Sequence, residues 1–172
     1  MASVTFKGNP VNLLGNNVEV GVAAPSVTLK AGDLSDITIG GANNKAQIIL
    51  TMPSLDTPVC ATQARDFNKK IASYPNAEAV IVTLDLPFAM GRFCSTEGIT
   101  NLKVASDFIA KEFGEKYGVL IGDGALKGLL ARAIFVIKDG KIAYKDIVSE
   151  ITELPNLKPL DTLFSGGCGC SR

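Results

Sequence analysis

Apolar residues recur along this chain in two rhythms. Short apolar runs rich in β-branched residues, Ala46-Gln-Ile-Ile-Leu50 and Ala79-Val-Ile-Val-Thr-Leu84, have the length and character of buried strands. Between them Ala64, Phe67, Ile71 and Tyr74 return at helical spacing among Arg65, Asp66, Lys69 and Lys70. The order strand–helix–strand implies a parallel, right-handed crossover. Ala131 to Ile137 and Lys141 to Tyr144 flank Asp139-Gly140, a hairpin signal.

The remaining elements are shorter. Ser3 to Lys7 and Val11 to Leu14, joined through Gly8-Asn-Pro10, read as an N-terminal hairpin. Val18 to Val22, Ser26 to Leu29, Ile37 to Ile39 and Lys103 to Ala105 are strand candidates. Pro87 to Asn101 suits a short helix made marginal by Gly91 and Gly98. Ser106 or Asp107 would cap a helix running to about Lys116, and Pro155 to Phe164 a closing helix weakened by Pro159. Together these predict an α/β, thioredoxin-like fold: a mixed central sheet flanked by helices, with an added N-terminal β-hairpin.

The helix after the first buried strand has well-defined start signals. Thr57 serves as N-cap and Pro58 fits the first helical position, so Cys60 falls in the first turn. First-turn N–H groups lack intrahelical partners and the helix dipole is positive there, so a thiolate is favoured over a thiol. A buried, inert cysteine is the bland alternative. The Thr-Pro start, with Pro53 fixing the loop above, makes Cys60 the leading candidate nucleophile.

Composition narrows the chemistry. At 172 residues and 47% hydrophobic content the chain suits one domain, with residues 1–14 as the hairpin and 165–172 as a flexible tail. The formal charge is +0, from 17 basic and 17 acidic residues, and no basic run predicts nucleic-acid binding. Residues 1–7 lack the features of a signal peptide, and no apolar run approaches the ~20 residues that cross a bilayer, so a cytoplasmic location is expected. There is no histidine, which removes Ser-His-Asp and Cys-His catalysis and histidine metal sites. Cysteines stand at 60, 94, 168 and 170 without a C-x-x-C pair, which argues against a thioredoxin-type dithiol reductase. Gly122-Asp-Gly-Ala-Leu-Lys-Gly128 nearly matches G-x-G-x-x-G, but its last glycine is one residue late and no strand-to-helix turn surrounds it.

Pro53-x-x-x-Thr57-x-x-Cys60 resembles the active-site motif of the peroxiredoxins, and the fuller Pro53-Ser-Leu-Asp-Thr-Pro-Val-Cys60 that of the bacterial thiol peroxidases (Tpx type). The resemblance continues through Asp85 to Ile99, Phe113 to Gly118, Leu126 to Ala133 and Glu150 to Thr152, and so covers nearly the whole chain to about Leu163. It implies that Cys60 is the peroxidatic cysteine, which attacks a hydroperoxide and becomes a sulfenic acid. Thr57 would hydrogen-bond the thiolate and the peroxide, Arg132 would supply a fixed cation, and Pro53 would shield the site from water. An ordinary strand-end arginine is the alternative for Arg132, although burial among Leu-Leu-Ala-Arg-Ala-Ile-Phe-Val demands a partner.

The same resemblance makes Cys94 the resolving cysteine, forming a Cys60–Cys94 disulfide after local unwinding of both segments. A packed small residue is the alternative. It further implies thioredoxin as reductant, hydroperoxides as substrates with organic ones preferred, a homodimer, and no cofactor. Leu86, Phe88, Ala89, Met90 and Phe93 are either an apolar approach for an alkyl chain or core. Leu154-Pro-Asn-Leu-Lys-Pro159 and Cys168-Gly-Cys170 depart from the family pattern. The tail thiols are idle, an accessory redox relay, or soft-metal ligands that a partner would complete. Two other functions use the same residues: a peroxide sensor that oxidises a partner through mixed disulfides, and a metal carrier built on the tail.

Overall fold

A computed structural model describes residues 3–41, 46–74 and 76–165. A seven-stranded mixed sheet forms its centre, in the order β10-β9-β5-β6-β7-β3-β4. The strands are β3 (Val27–Ala31), β4 (Asp36–Ile39), β5 (Ala46–Thr51), β6 (Ala77–Thr83), β7 (Lys103–Ser106), β9 (Ala133–Lys138) and β10 (Lys141–Ile147). β5, β6 and β7 run parallel, and β9 and β3 are antiparallel to their neighbours at either flank. The N-terminal hairpin of β1 (Ser3–Phe6) and β2 (Asn9–Leu14) pairs with β8 (Leu120–Ile121) in a second, three-stranded sheet.

Alternation along the central strands feeds two apolar cores, one on each face. Ile49, Val80, Val82, Phe135 and Ile137 point to the face covered by the hairpin and α3 (Glu112–Tyr117). There Phe113 and Tyr117 stack with ring centroids 4.3 Å apart. Ile48, Leu50, Ile81, Ile134 and Val136 point to the other face. α1 (Pro58–Ile71), α2 (Pro87–Glu97) and α4 (Lys158–Ser165) cover it. α4 is held there by Asp161, which accepts hydrogen bonds from Tyr74 at 2.5 Å and Lys70 at 2.9 Å.

The topology brings three chain segments to one edge of the sheet. β5 and β6 are parallel, so their carboxyl ends and the loops after them lie side by side; ligand sites of parallel α/β sheets form at such ends. β9 is antiparallel to β5, and its first residue, Ala133, pairs with Thr51 at the last position of β5. Arg132 therefore enters the sheet beside the loop that leads to Cys60. A further bond, from Thr51 Oγ1 to Ala131 O at 2.7 Å, fixes that approach.

Several expected elements differ. Val18 to Val22 is loop rather than strand: Gly21 takes a positive φ of 98°, and the segment reaches β10 through an isolated bridge at Ala23. The helix expected from Ser106 or Asp107 begins at Glu112 instead. Asp107 still caps it from a distance, its buried carboxylate accepting from Phe113 N (3.0 Å) and Gly114 N (2.9 Å). The closing helix starts at Lys158, so Pro159 lies in its first turn, where a missing N–H costs nothing. The near-match at Gly122–Gly128 is a run of turns with no helix after it. No helix is long and apolar enough to cross a membrane among the described residues.

Candidate active site

α1 begins as its sequence signals indicate. Thr57 is the N-cap in extended conformation, its hydroxyl oxygen accepts from Cys60 N at 3.3 Å, and Pro58 opens the helix. Cys60 is fully buried, Ala64, Phe67 and Ile71 are buried on the same face, and these side chains pack α1 onto the sheet. Burial of a large apolar side chain stabilises by about 1.5–3 kcal/mol, so this packing far outweighs the cap in fixing the helix.

Arg132 meets Cys60 within the core. The residue is 2% exposed, and its Nη1 donates to Cys60 Sγ at 3.3 Å. The same nitrogen donates to Gln63 Oε1, and Nε donates to Ile151 O at 2.8 Å. Among the described residues no carboxylate forms a salt bridge with this guanidinium. A buried cation without a carboxylate needs other acceptors, and Cys60 Sγ, Gln63 Oε1 and Ile151 O supply them.

The other expected site residues are placed as follows. Pro53 is buried in the loop between β5 and α1. Thr57 is exposed, and its hydroxyl donates to Ser54 O at 3.4 Å while accepting from Cys60 N. That hydroxyl thus ties the first turn of α1 to the loop before it, next to Cys60. Cys94 is half-buried in α2, and burial pushes its thiol pKa up. Cys60 and Cys94 are both free thiols on separate helices. Cys168 and Cys170 lie outside the described residues.

A cleft of about 470 Å³ opens between α1 and α2, lined by Leu55, Thr57, Pro58, Ala89, Arg92 and Phe93 among others. Of the five apolar residues in question, Ala89 and Phe93 line it, Met90 is core, and Leu86 and Phe88 are 53% and 69% exposed.

Three supports of the site were not expected. Gln63 lies three residues after Cys60 and so shares its helix face, a relation that spacing alone reveals. Ile151 offers a backbone carbonyl, which no side-chain pattern betrays. Glu150 holds the turn that presents it: its carboxylate accepts from Thr152 N, Gly8 N, Lys7 N and the Thr5 and Thr152 hydroxyls. Those bonds, the Thr152 and Gly8 amides foremost, hold its carboxyl well below the usual carboxylate range.

Comparisons with known proteins agree with this geometry. The redoxin family model matches residues 19–163. The chain is 69% identical to a thiol peroxidase of Campylobacter jejuni, over 99% of each chain. It is 51% identical to a thiol peroxidase of Aquifex aeolicus, over 90% of this chain and 91% of that one. The crystal structure of a peroxiredoxin-like protein from Aquifex aeolicus superposes with a TM-score of 0.93 at 47% identity, covering 96% of this chain and 97% of that one. A buried first-turn cysteine against a guanidinium, on a thioredoxin-like sheet and in a sequence this similar to such relatives, leaves one assignment: the chain belongs to the redoxin family, among its thiol peroxidases.

Proposed function

We propose that the protein reduces hydroperoxides at Cys60 and is recycled by a dithiol reductant. The observation that carries this reading is the hydrogen bond from buried Arg132 to the Cys60 sulfur. The Cys60 thiolate attacks the terminal oxygen of the hydroperoxide and the O–O bond breaks. Cys60 becomes a sulfenic acid, and the leaving oxygen takes a proton to depart as an alcohol, or as water from hydrogen peroxide. Arg132 donates hydrogen bonds that stabilise the attacking sulfur and the charge growing on the leaving oxygen. Pro53 and the packed helix turn keep bulk water away from the sulfur.

Cys94 then attacks the sulfenic sulfur, water leaves, and a Cys60–Cys94 disulfide forms. The two thiols sit on different helices and Cys60 is buried, so this step requires both segments to unwind locally. Thioredoxin is the proposed reductant: its dithiol opens the disulfide and returns both thiols. Such recycling requires a compartment that supplies reduced thiols, which favours the cytoplasm. The cleft with Leu55, Pro58, Ala89 and Phe93 on its walls favours organic hydroperoxides, whose alkyl chain it would cover. The exposed Leu86 and Phe88 beside it fit the homodimer contact that the family resemblance suggests.

The deciding experiment is thioredoxin-dependent consumption of cumene hydroperoxide by wild type, Cys60→Ser and Cys94→Ser. Cys60→Ser should abolish turnover, and Cys94→Ser should stop after one oxidation. Wild type that reacts once and is not restored by thioredoxin would overturn the enzyme reading in favour of a sensor that oxidises a partner.

A further inference from the structure

The loop that leads to Cys60 and the segment that starts the Cys94 helix are tied together by one carboxylate. Ser54 Oγ donates to Asp85 Oδ1 at 2.6 Å, and Leu55 N donates to Asp85 Oδ2 at 2.7 Å. On its own side, Asp85 Oδ2 accepts from Thr83 Oγ1 at 2.9 Å, and Asp85 N donates back to that hydroxyl at 2.9 Å. Ser106 at the end of β7 holds the Asp85 carbonyl. Asp85 thus joins the loop at 54–55 to the ends of β6 and β7, two residues before Pro87 opens α2.

From this we infer that Asp85 is a positioning residue that sets how the Cys60 sulfenic acid is partitioned. The inference rests on the two-cysteine reading above. Two reactions compete for that sulfenic acid. Attack by the Cys94 thiol gives the disulfide and water, and requires the loop and α2 to come apart. Attack on a second hydroperoxide gives a sulfinic acid and an alcohol, and occurs in the packed form. The Asp85 bonds exist only while the loop and the α2 start are docked, so they favour the packed form. They also fix the backbone that carries Thr57 and Cys60, which favours the first reaction with peroxide.

The site has the features such a latch requires. Its bonds to Ser54 and Leu55 are short and charge-assisted, the stronger class of hydrogen bond. They cross between segments about thirty residues apart, so they report docking and not local folding. Asp85 touches neither sulfur, and its effect passes entirely through position.

The test uses the full-length protein and Asp85→Ala, with Asp85→Asn as the conservative variant and Ser54→Ala as a cut on the loop side alone. Reduced protein is mixed with cumene hydroperoxide, and mass spectrometry follows disulfide and sulfinic acid with time. Asp85→Ala should form disulfide faster and lower the sulfinic fraction by on the order of tenfold, the change expected from losing hydrogen bonds to a carboxylate. Its first oxidation should be slower. Asp85→Asn, which keeps one acceptor oxygen, should lie between.

A merely structural role would lower the melting temperature and slow both reactions while leaving their ratio unchanged, and that result overturns the inference. If Asp85→Ala does not fold, Ser54→Ala decides: a lower sulfinic fraction supports the latch, and an unchanged fraction overturns it. Failure of the two-cysteine reading shows differently, as wild type that forms no Cys60–Cys94 disulfide at all.

Discussion

The two helices that carry Cys60 and Cys94 are built to opposite specifications. α1 has a side-chain N-cap at Thr57, Pro58 at its start and lysines 69 and 70 in its last turn, which complement the helix dipole. It buries five residues, Cys60 and Gln63 among them, against the sheet. α2 starts at Leu86 with no side-chain cap, has no basic residue in its last turn, carries Gly91 in its middle and buries only Pro87 and Met90. Both have proline at the start, so the contrast lies in capping, packing and backbone entropy. One helix holds its sulfur against a fixed cation, and the other holds its sulfur only loosely. The difference fits the two steps proposed above: reaction with peroxide needs the first kind of support, and disulfide formation needs the second kind of weakness.

The largest effect should come from the rigid side. Arg132→Lys keeps the charge but replaces a planar fork, bonded at once to Ile151 O, Gln63 Oε1 and Cys60 Sγ, by a compact ammonium. Loss of one such preorganised donor costs a factor on the order of 10²–10³ in rate. Rapid-quench mass spectrometry of the first oxidation measures it. A loss of only a few-fold would mean that charge alone suffices and that the geometry of the rigid helix matters little.

Next comes the loose side. At Gly91 an added Cβ would sit 3.6 Å from Gly32 O, an ordinary contact, so the helix accepts alanine without strain. Replacing a mid-helix glycine by alanine stabilises by roughly 0.5–1 kcal/mol. Gly91→Ala should therefore slow Cys60–Cys94 disulfide formation by about two- to fivefold. The first oxidation should be unaffected. If both steps slowed equally, α2 would not be the element that opens.

How far this contrast was legible beforehand depends on the kind of signal. Thr57-Pro58, two local rules acting on neighbouring residues, placed Cys60 in its helix turn. Arg132 stood out because a charge inside a buried run needs a partner. Gly91 and Gly98 marked α2 as weak, and the structure makes it a full helix whose weakness lies in what it leaves unburied. The misses depend on long-range register. Asp85 meets Ser54 only because β5 and β6 are parallel and end together, and Ile151 acts through its backbone. The role of Thr57 beside the thiolate came from the family resemblance, whereas its place as N-cap was legible in the Thr57-Pro58 pair itself. Val18 to Val22 has strand composition, but Val20 and Val22 are 59% and 45% exposed, and the segment meets β10 through a few backbone bonds at Gly21 and Val22 and an isolated bridge at Ala23.

A pH dependence sharpens the same comparison. Burial raises the Cys94 thiol pKa in intact α2, whereas an unwound α2 returns it to the ordinary range near ~8.5. A group with a raised folded pKa gives its full contribution below the unfolded value, and this is lost as pH rises through the folded one. Intact α2 should therefore weaken above about pH 8.5. Hydrogen exchange, corrected for its intrinsic pH dependence, should accelerate in α2 and not in α1. Cys94→Ser should remove the acceleration; if it persists, another group governs α2.

The smallest expected effect comes from a residue that reaches the sulfur only through others. Glu150 holds the turn whose Ile151 carbonyl receives Arg132 Nε, so it supports the rigid helix and not the loose one. Its carboxyl pKa is depressed, by the Thr152 and Gly8 amides first. A depressed group contributes its stability above the unfolded pKa, near ~4.3, and loses it as pH falls through the folded value. Glu150→Gln should therefore lower the melting temperature slightly at pH 7, and the gap from wild type should close as the solution is acidified below about pH 4. In the same variant the first oxidation should slow modestly while disulfide formation keeps its rate, because the Glu150 chain of bonds ends on Arg132 and never reaches α2. A gap that stays constant with pH would remove Glu150 from the support of the site. Slowing of both steps would show that the rigid and loose regions share more of their framework than their packing suggests.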